Sequence, residues 1–342
     1  MLRFLTRHQV DAAAWDHCVA GAHNALVYGH TWYLDAVTNL PGWTWEGLVA
    51  DNLAVADKHG QYQAVLPIPL RLRWGRWVVY QPLFCQFLAL FAEQPTDPVP
   101  FLQAVYARYR YVSKWHLLLE APCAGLPAQV CQQIMHTHVL ELSSVLSADH
   151  SPTQNRQPQY TTDRRMNLRR AASRIADVAD WQLIESTDSE PLLALFHENH
   201  APGIGVGAWA YKLFRGLFVA VQQRGVGTLR YARAGGQIVA GALFIEQYGR
   251  IIYLFNAANT EGRRLNARSI LIDELIQTKL KGAGPEPQIL DFESPEKPGV
   301  IAFYESFGAT PQPYVVFTWS RLTWLERLGK RVLNKVKAYG RQ

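Results

Sequence analysis

Cysteine is scarce and scattered. Cys18, Cys85, Cys123 and Cys131 are the four in 342 residues, with no CxxC pair and no histidines at ligand spacing. A disulfide frame and a zinc site are excluded, and the thiols read as reduced, in a cytoplasmic protein. No apolar run approaches the length needed to cross a bilayer. The start, MLRFLTRHQVDAAAW, meets Arg7, His8 and Asp11 before any long apolar stretch, so no secretory signal is expected. GIGVG at 203–207 follows no strand and opens no dinucleotide-binding unit. HENH at 197–200 lacks HExxH spacing, so no metal is expected. Net positive charge is also missing from most of the chain. Of the net +6, seven Lys/Arg and one acid, Glu326, fall in Ser320–Gln342, which leaves 27 basic and 27 acidic residues elsewhere. A neutral body argues against DNA as a partner.

What is present is apolar substance and repetition. At 49% hydrophobic the chain can bury a sizeable core, and its length favours two domains. SADHSPTQNRQPQYTTD, Ser147 to Asp163, has the polar composition of an exposed connection. The expected division is residues 1–150, a linker at 151–162, a second domain at 163–319, and a basic C-terminal helix at 320–342. Two stretches repeat one another across that linker: GQYQAVLPIPLRLRWGRWVVYQP from Gly60 and GQIVAGALFIEQYGRIIYLFN from Gly236. Each carries Gly-Gln, an Ala three residues later, an apolar run, a Gly-Arg turn, and a second run with Tyr80 or Tyr253. β-Branched and aromatic enrichment with Gly at the turns predicts antiparallel hairpins. Helical periods surround them in VPFLQAVYARYRYV, DSEPLLALFHENH, GAWAYKLFRGLFVAVQQRG and ARSILIDELIQTKL.

The least generic segment is ILDFESPEKPGVIAFYESFGATPQPY, Ile289 to Tyr314. It reads as a short strand, a polar loop, a short helix stopped at Gly308, and a further strand. That order resembles the last third of a GNAT acyltransferase domain. The preceding GRIIYLFNAANTEGRRLNARSILIDELI is similar to that family's central strand, donor loop and helix. With DRRMNLRRAASR at 163–174 and the repeat, the chain resembles the tandem FemAB-like proteins. The resemblance implies an α/β (α+β) fold of two GNAT-like domains, each a mixed, mostly antiparallel sheet flanked by helices.

The same resemblance implies roles. Tyr304 occupies the place of the tyrosine that protonates the leaving group; a core tyrosine beside Phe303 and Phe307 is the competing reading. Asp291 and Glu293 are candidate bases, since partial burial raises a carboxyl toward neutrality, and alternation puts both on one side if the strand runs that far. A loop-pinning acid is the alternative for Asp291, and Glu246 is a weaker base candidate. In RRLNAR, Asn266 stands where a CoA-binding loop has its first glycine; Asn tolerates a left-handed turn. Arg263, Arg264, Asn266 and Arg268 are the candidate donor-phosphate contacts. Asn256, Trp32, Gln81, Gln86 and His200 are the candidate substrate contacts. No tightly bound cofactor is expected, and the acyl donor is acetyl-CoA or another acyl-CoA, or an aminoacyl-tRNA.

The implied activity is acyl or aminoacyl transfer to an amine or hydroxyl of a small-molecule or lipid-linked cell-envelope or polysaccharide precursor. A CoA-dependent N-acetyltransferase and a non-catalytic carbohydrate-binding module remain open. In SRLTWLERLGKRVLNKVKAYGRQ, Leu322, Leu325, Leu328, Val332, Leu333 and Val336 form one helical stripe among Lys/Arg. Such a helix suits an anionic membrane surface, or docks on its own domain.

Overall fold

A computed structural model describes residues 1–51, 62–142, 159–199, 205, 207–282, 288–324 and 326–327. The chain divides into two compact units: Met1–Met135 with Pro313–Gln342, and His136–Gln312. The boundaries differ from those expected of the linker. Residues 136–150 fall in the second unit, and the chain from Pro313 on falls in the first.

The first unit's sheet runs β1 (Leu2–Thr6), β2 (Trp43–Asp51), β3 (Tyr62–Arg73), β4 (Arg76–Tyr80), β6 (Tyr111–Leu117) and β13 (Thr310–Ser320), with β5 (Phe91–Ala92) beside β3. The β4–β6 pair is parallel and the others are antiparallel. α1 (Ala12–Ala20) starts at Asp11, whose carboxylate accepts from the N–H groups of Ala13 and Ala14, the usual way an N-cap satisfies orphan donors. α2 (Thr31–Val37) and α3 (Val99–Arg108) follow. The periodic stretch at 99–112 is helical only to Arg108, because Tyr111 and Val112 already belong to β6. Trp15, Trp45, Trp115, Tyr28, Tyr33, Phe87 and Phe91 fill the core.

The second unit's sheet runs β7 (Cys131–Glu141, from residue 136 on), β12 (Ile289–Asp291), β11 (Arg250–Ala258), β10 (Gln237–Gln247), β9 (Gly227–Ala234) and β8 (Gln182–Ser186). Only β11–β12 is parallel. Its helices are α4 (Thr162–Ala176), α5 (Glu190–Asn199), α6 (Ala208–Gln223), α7 (Thr260–Arg264), α8 (Ala267–Gly282) and α9 (Pro298–Glu305). Phe255 packs on Phe196 of α5 and Phe214 of α6. Leu271, Ile272, Leu275 and Ile276 of α8 cover the other face together with Tyr253 and Phe292.

The repeated stretches are the same device. Each hairpin turns on an aromatic–glycine pair with both residues left-handed: Trp74–Gly75 (φ 51° and 73°) and Tyr248–Gly249 (φ 53° and 70°). Two positive φ values match the twist of the flanking strands. Each hairpin's second strand then takes a parallel neighbour, β6 or β12.

Candidate functional site

The site grows from the place where β11 and β12 part. Three residue pairs hold them together, Arg250 with Ile289, Ile251 with Leu290 and Ile252 with Asp291. There β12 stops while β11 continues to Ala258. Among the described residues no strand takes the place of β12 beside Tyr253–Ala258, so β11 is an edge strand there. Immediately past the last pair, Leu254 is bulged: Leu243 faces Phe255 while Phe244 faces Tyr253. A bulge changes strand parity. Tyr253 and Asn256, three apart, therefore share the side facing α8, where Tyr253 joins the core and Asn256 meets Arg268.

Two tyrosines stand at the fork. Tyr304 of α9 stacks on Phe292, ring centroids 4.4 Å apart, and meets Tyr253 edge-on at 6.4 Å. Burial pushes the Tyr304 phenol up to about 12, with Glu293 adding and Arg268 opposing. Burial also raises the Tyr253 phenol strongly, and its hydroxyl is buried without a hydrogen-bond partner. A buried polar group normally finds a partner, so Tyr253 is an unsatisfied donor.

Arg268, in the first turn of α8, donates to Asn256 Oδ1 at 3.1 Å. Asn266 is left-handed (φ 57°), the turn conformation expected of it. The two arginines before it are engaged locally. Arg263 donates to the Ala258 carbonyl at 2.9 Å and to Thr260, and Arg264 pairs with Glu261 at 2.6 Å. A further cation was hidden in the DRRMNLRRAASR helix. Arg164 is buried, donates to Ser306 Oγ and Ser269 Oγ at 2.9 Å, and lies over the rings of Phe303 and Phe307 at 4.6 and 4.3 Å. Among the described residues no carboxylate pairs with it. Burial lowers its pKa, the cost of holding an uncompensated charge.

The two acids separate. Asp291 is fully buried and accepts from Thr137 Oγ1 at 2.6 Å, Arg250 at 2.5 Å and the Glu293 N–H at 3.0 Å. Both its oxygens are occupied, so it pins the loop. β12 ends at Asp291, so strand alternation does not reach Glu293. Glu293 is instead left-handed (φ 46°), half-buried, and close enough to bias the Tyr304 phenol. A non-glycine residue held there is strained, a feature that clusters at functional sites. Glu246 is bound to Lys279 at 2.5 Å, a partly exposed ion pair.

In the first unit the matching fork is filled by its own chain. After Tyr80, the Gln81 N–H donates to the Lys114 carbonyl and the Leu88 N–H to the His116 carbonyl, while Phe87, Leu88 and Ala89 are fully buried. Gln81 locks this plug: its amide donates to the Cys85 carbonyl at 2.7 Å and accepts from the His116 N–H at 3.1 Å. The Gln86 carbonyl bonds His116 Nδ1 at 2.7 Å. Trp32, half-buried, packs beside His30 and Tyr33. His200 lies outside the described residues. Among those described, no cluster of three His, Cys, Asp or Glu can hold a metal, and no helix is long and apolar enough to cross a membrane.

Tyr253 and Arg164 were not singled out by sequence. Tyr253 had one signal, its place beside Tyr80 in the repeat; Arg164 had none among the five arginines of α4.

Residues 162–281 match the acetyltransferase (GNAT) domain family. The structure is similar to that of FemX, with TM-score 0.59, 10% identity, and 94% of this chain and 98% of that one covered. It is also similar to a conserved protein of unknown function from Bacteroides thetaiotaomicron VPI-5482, with TM-score 0.55, 11% identity, and 94% and 100% covered. No curated protein matches the sequence. Domain match, forked strands and shared fold converge on a GNAT fold, with the acetyltransferase (GNAT) domain match at residues 162–281.

Proposed function

We propose that the fork of the second unit transfers an acyl or aminoacyl group to an amine or hydroxyl of a cell-envelope or polysaccharide precursor. The observation that carries this reading is the edge of β11 beyond Ile252 with Tyr253 on that strand and the Tyr304 ring edge-on to it. A peptide-like stretch of donor can pair with that edge. The acceptor attacks the donor's acyl carbon, a C–N or C–O bond forms, and the bond to the leaving sulfur or oxygen breaks. In this reading Glu293 takes the acceptor's proton and Tyr304 gives its own to the leaving group. A phenol raised to about 12 keeps that proton at neutral pH. Asp291 positions Glu293 through the backbone, and Arg164 and Arg268 attract the anionic part of the donor.

Tyr304→Phe should lower turnover by roughly 10²-fold, the scale of a lost general acid, with donor affinity unchanged by calorimetric titration. Wild-type turnover in that variant would reduce Tyr304 to packing and remove the assignment. Unchanged biological activity in a Glu293→Gln/Tyr304→Phe variant would point instead to a binding module.

A second reading, with aminoacyl-tRNA in place of acyl-CoA, is favoured by the donor loop. Asn266 and Arg268 stand where glycines would open backbone N–H groups to pyrophosphate, and Arg263 and Arg264 are spent on local bonds. Titration with acetyl-CoA at low and physiological salt separates the two. Saturable binding that survives salt supports CoA, and none leaves the tRNA donor or no catalysis. The basic helix at 320–342, as an attachment to an anionic membrane, belongs to the same proposal; most of it lies outside the described residues.

A further inference from the structure

The β3–β4 hairpin ends in apolar side chains that its own unit leaves exposed. Leu72 and Trp77 are directly opposite one another across the hairpin, and they are 46% and 45% exposed. A single exposed apolar residue is ordinary; a contiguous cross-strand pair at a protruding turn is a surface. The next pair outward is Arg73 opposite Arg76, two like charges where the sheet disfavours them. Among the described residues no carboxylate pairs with Arg71 or Arg73. They lie instead over aromatic rings, Arg71 at 5.0 Å from Trp43 and 5.2 Å from Tyr80, and Arg73 at 5.9 Å from Tyr80. That arrangement orients the guanidinium groups without neutralising them.

The start of the basic tail is fastened beside this hairpin, within the same unit. Glu326 takes Arg76 at 2.9 Å and Arg110 at 3.2 Å, and Arg321 lies over the Tyr106 ring at 4.4 Å. Trp324 there is 72% exposed. Glu326 therefore pairs with Arg76 and Arg110 while Arg71 and Arg73 have no carboxylate partner among the described residues, and the +6 of Ser320–Gln342 begins at this place.

We propose that the hairpin tip Arg71–Trp77, with Trp324, docks on the anionic face of a lipid bilayer. Leu72 and Trp77 enter the interface, where tryptophan is at home, while the arginines meet lipid phosphates. The apolar pair decides between partners. A nucleic acid would gain from the arginines but little from exposed Leu72. The assignment shares with the proposed function only the reading of the tail as membrane-seeking, and the test separates the two.

Full-length protein is sedimented with vesicles of phosphatidylcholine alone and with added phosphatidylglycerol. Wild type should bind only the anionic vesicles. Leu72→Ser/Trp77→Ser should weaken binding at least five-fold, and Arg73→Gln several-fold, with thermal unfolding unchanged. A full-length variant with Lys330, Arg331, Lys335 and Lys337 changed to Gln tests the tail separately. If the tail variant loses binding while both hairpin variants bind as wild type, the hairpin assignment is overturned and the tail reading stands. If wild type binds no vesicle, both fall. Binding of RNA that ignores the Leu72/Trp77 change, with no vesicle binding, replaces the bilayer with nucleic acid.

Discussion

Tyr253 is a residue whose cost and use are written in the same atom. Its buried hydroxyl lacks a partner, and removing such a group relieves a desolvation penalty of about 1–3 kcal/mol. Tyr253→Phe should leave the protein as stable or more so in urea unfolding, while donor affinity and turnover fall. A variant both less stable and fully active would mean that the hydroxyl serves packing alone. His116 is the matching residue of the first unit. Its Nδ1 bonds the Gln86 carbonyl, so that nitrogen carries the proton, and Nε2 is buried without a partner. Burial, with Lys114 adding and the Gln86 bond opposing, lowers the imidazole to about 4. The unfolded chain titrates near ~6.5, so between those values only the unfolded state binds the proton. Stability is full above the unfolded value and falls as pH drops through the folded one, by up to about 3 kcal/mol from this group. Replacing it, as His116→Gln, should narrow the stability gap between wild type and variant as pH falls from neutral toward 4. A gap constant with pH would show that His116 does not titrate this way.

At the scale of elements, the fork depends on how tightly the donor loop lies on the sheet. α7 presses on β10 at Gly262, where an added Cβ would stand 2.2 Å from the Val239 carbonyl oxygen. Backbone cannot yield as a side chain can, so Gly262→Ala should cost about 1–3 kcal/mol and displace the loop that leads into α8. The urea midpoint and the donor Kd should both worsen. A midpoint at the wild-type value would mean that α7 moves freely and that the loop is not set by this contact. The Leu254 bulge works at the same scale. It ends β12 pairing and brings Tyr253 and Asn256 onto one side, which a regular strand would not do.

At the scale of the molecule, the two units are not two halves of the chain. Residues 315–320 pair with β6, and Trp319 donates to the Tyr109 carbonyl at 2.9 Å, so the last strand completes the first unit. A fragment cut by composition at 163–319 would carry Val315, Val316, Phe317 and Trp319, all buried in the intact protein, with no partner strand. Such an edge aggregates. It would also lack residues 136–141, which pair with β12. The fragment 136–312 should express as a soluble, cooperatively unfolding unit and 163–319 should not; the reverse result would overturn this division.

Local chemistry was enough to predict some of this. Glycine marks both hairpin turns, although the turn pairs are Trp74–Gly75 and Tyr248–Gly249 and not Gly-Arg, Gly308 ends α9 (φ 89°), Asn266 takes the turn a glycine would take, and the apolar periods place α6 and α8. Each rests on neighbours a few positions apart, and the chain carries that information directly. The pairing of strands across long separations did not follow from it, nor did the filling of the first unit's fork by Gln81–Leu90. The difference between Asp291 and Glu293, two residues apart, also lay beyond it. Burial, partners and handedness for those acids come from Thr137, Arg250 and Tyr304, up to 154 positions away in sequence. Composition and spacing determined the hairpins, the helical periods and their turns. Only the tertiary structure decided which acid is pinned and which faces the fork, because a carboxylate's role is set by what surrounds it in space.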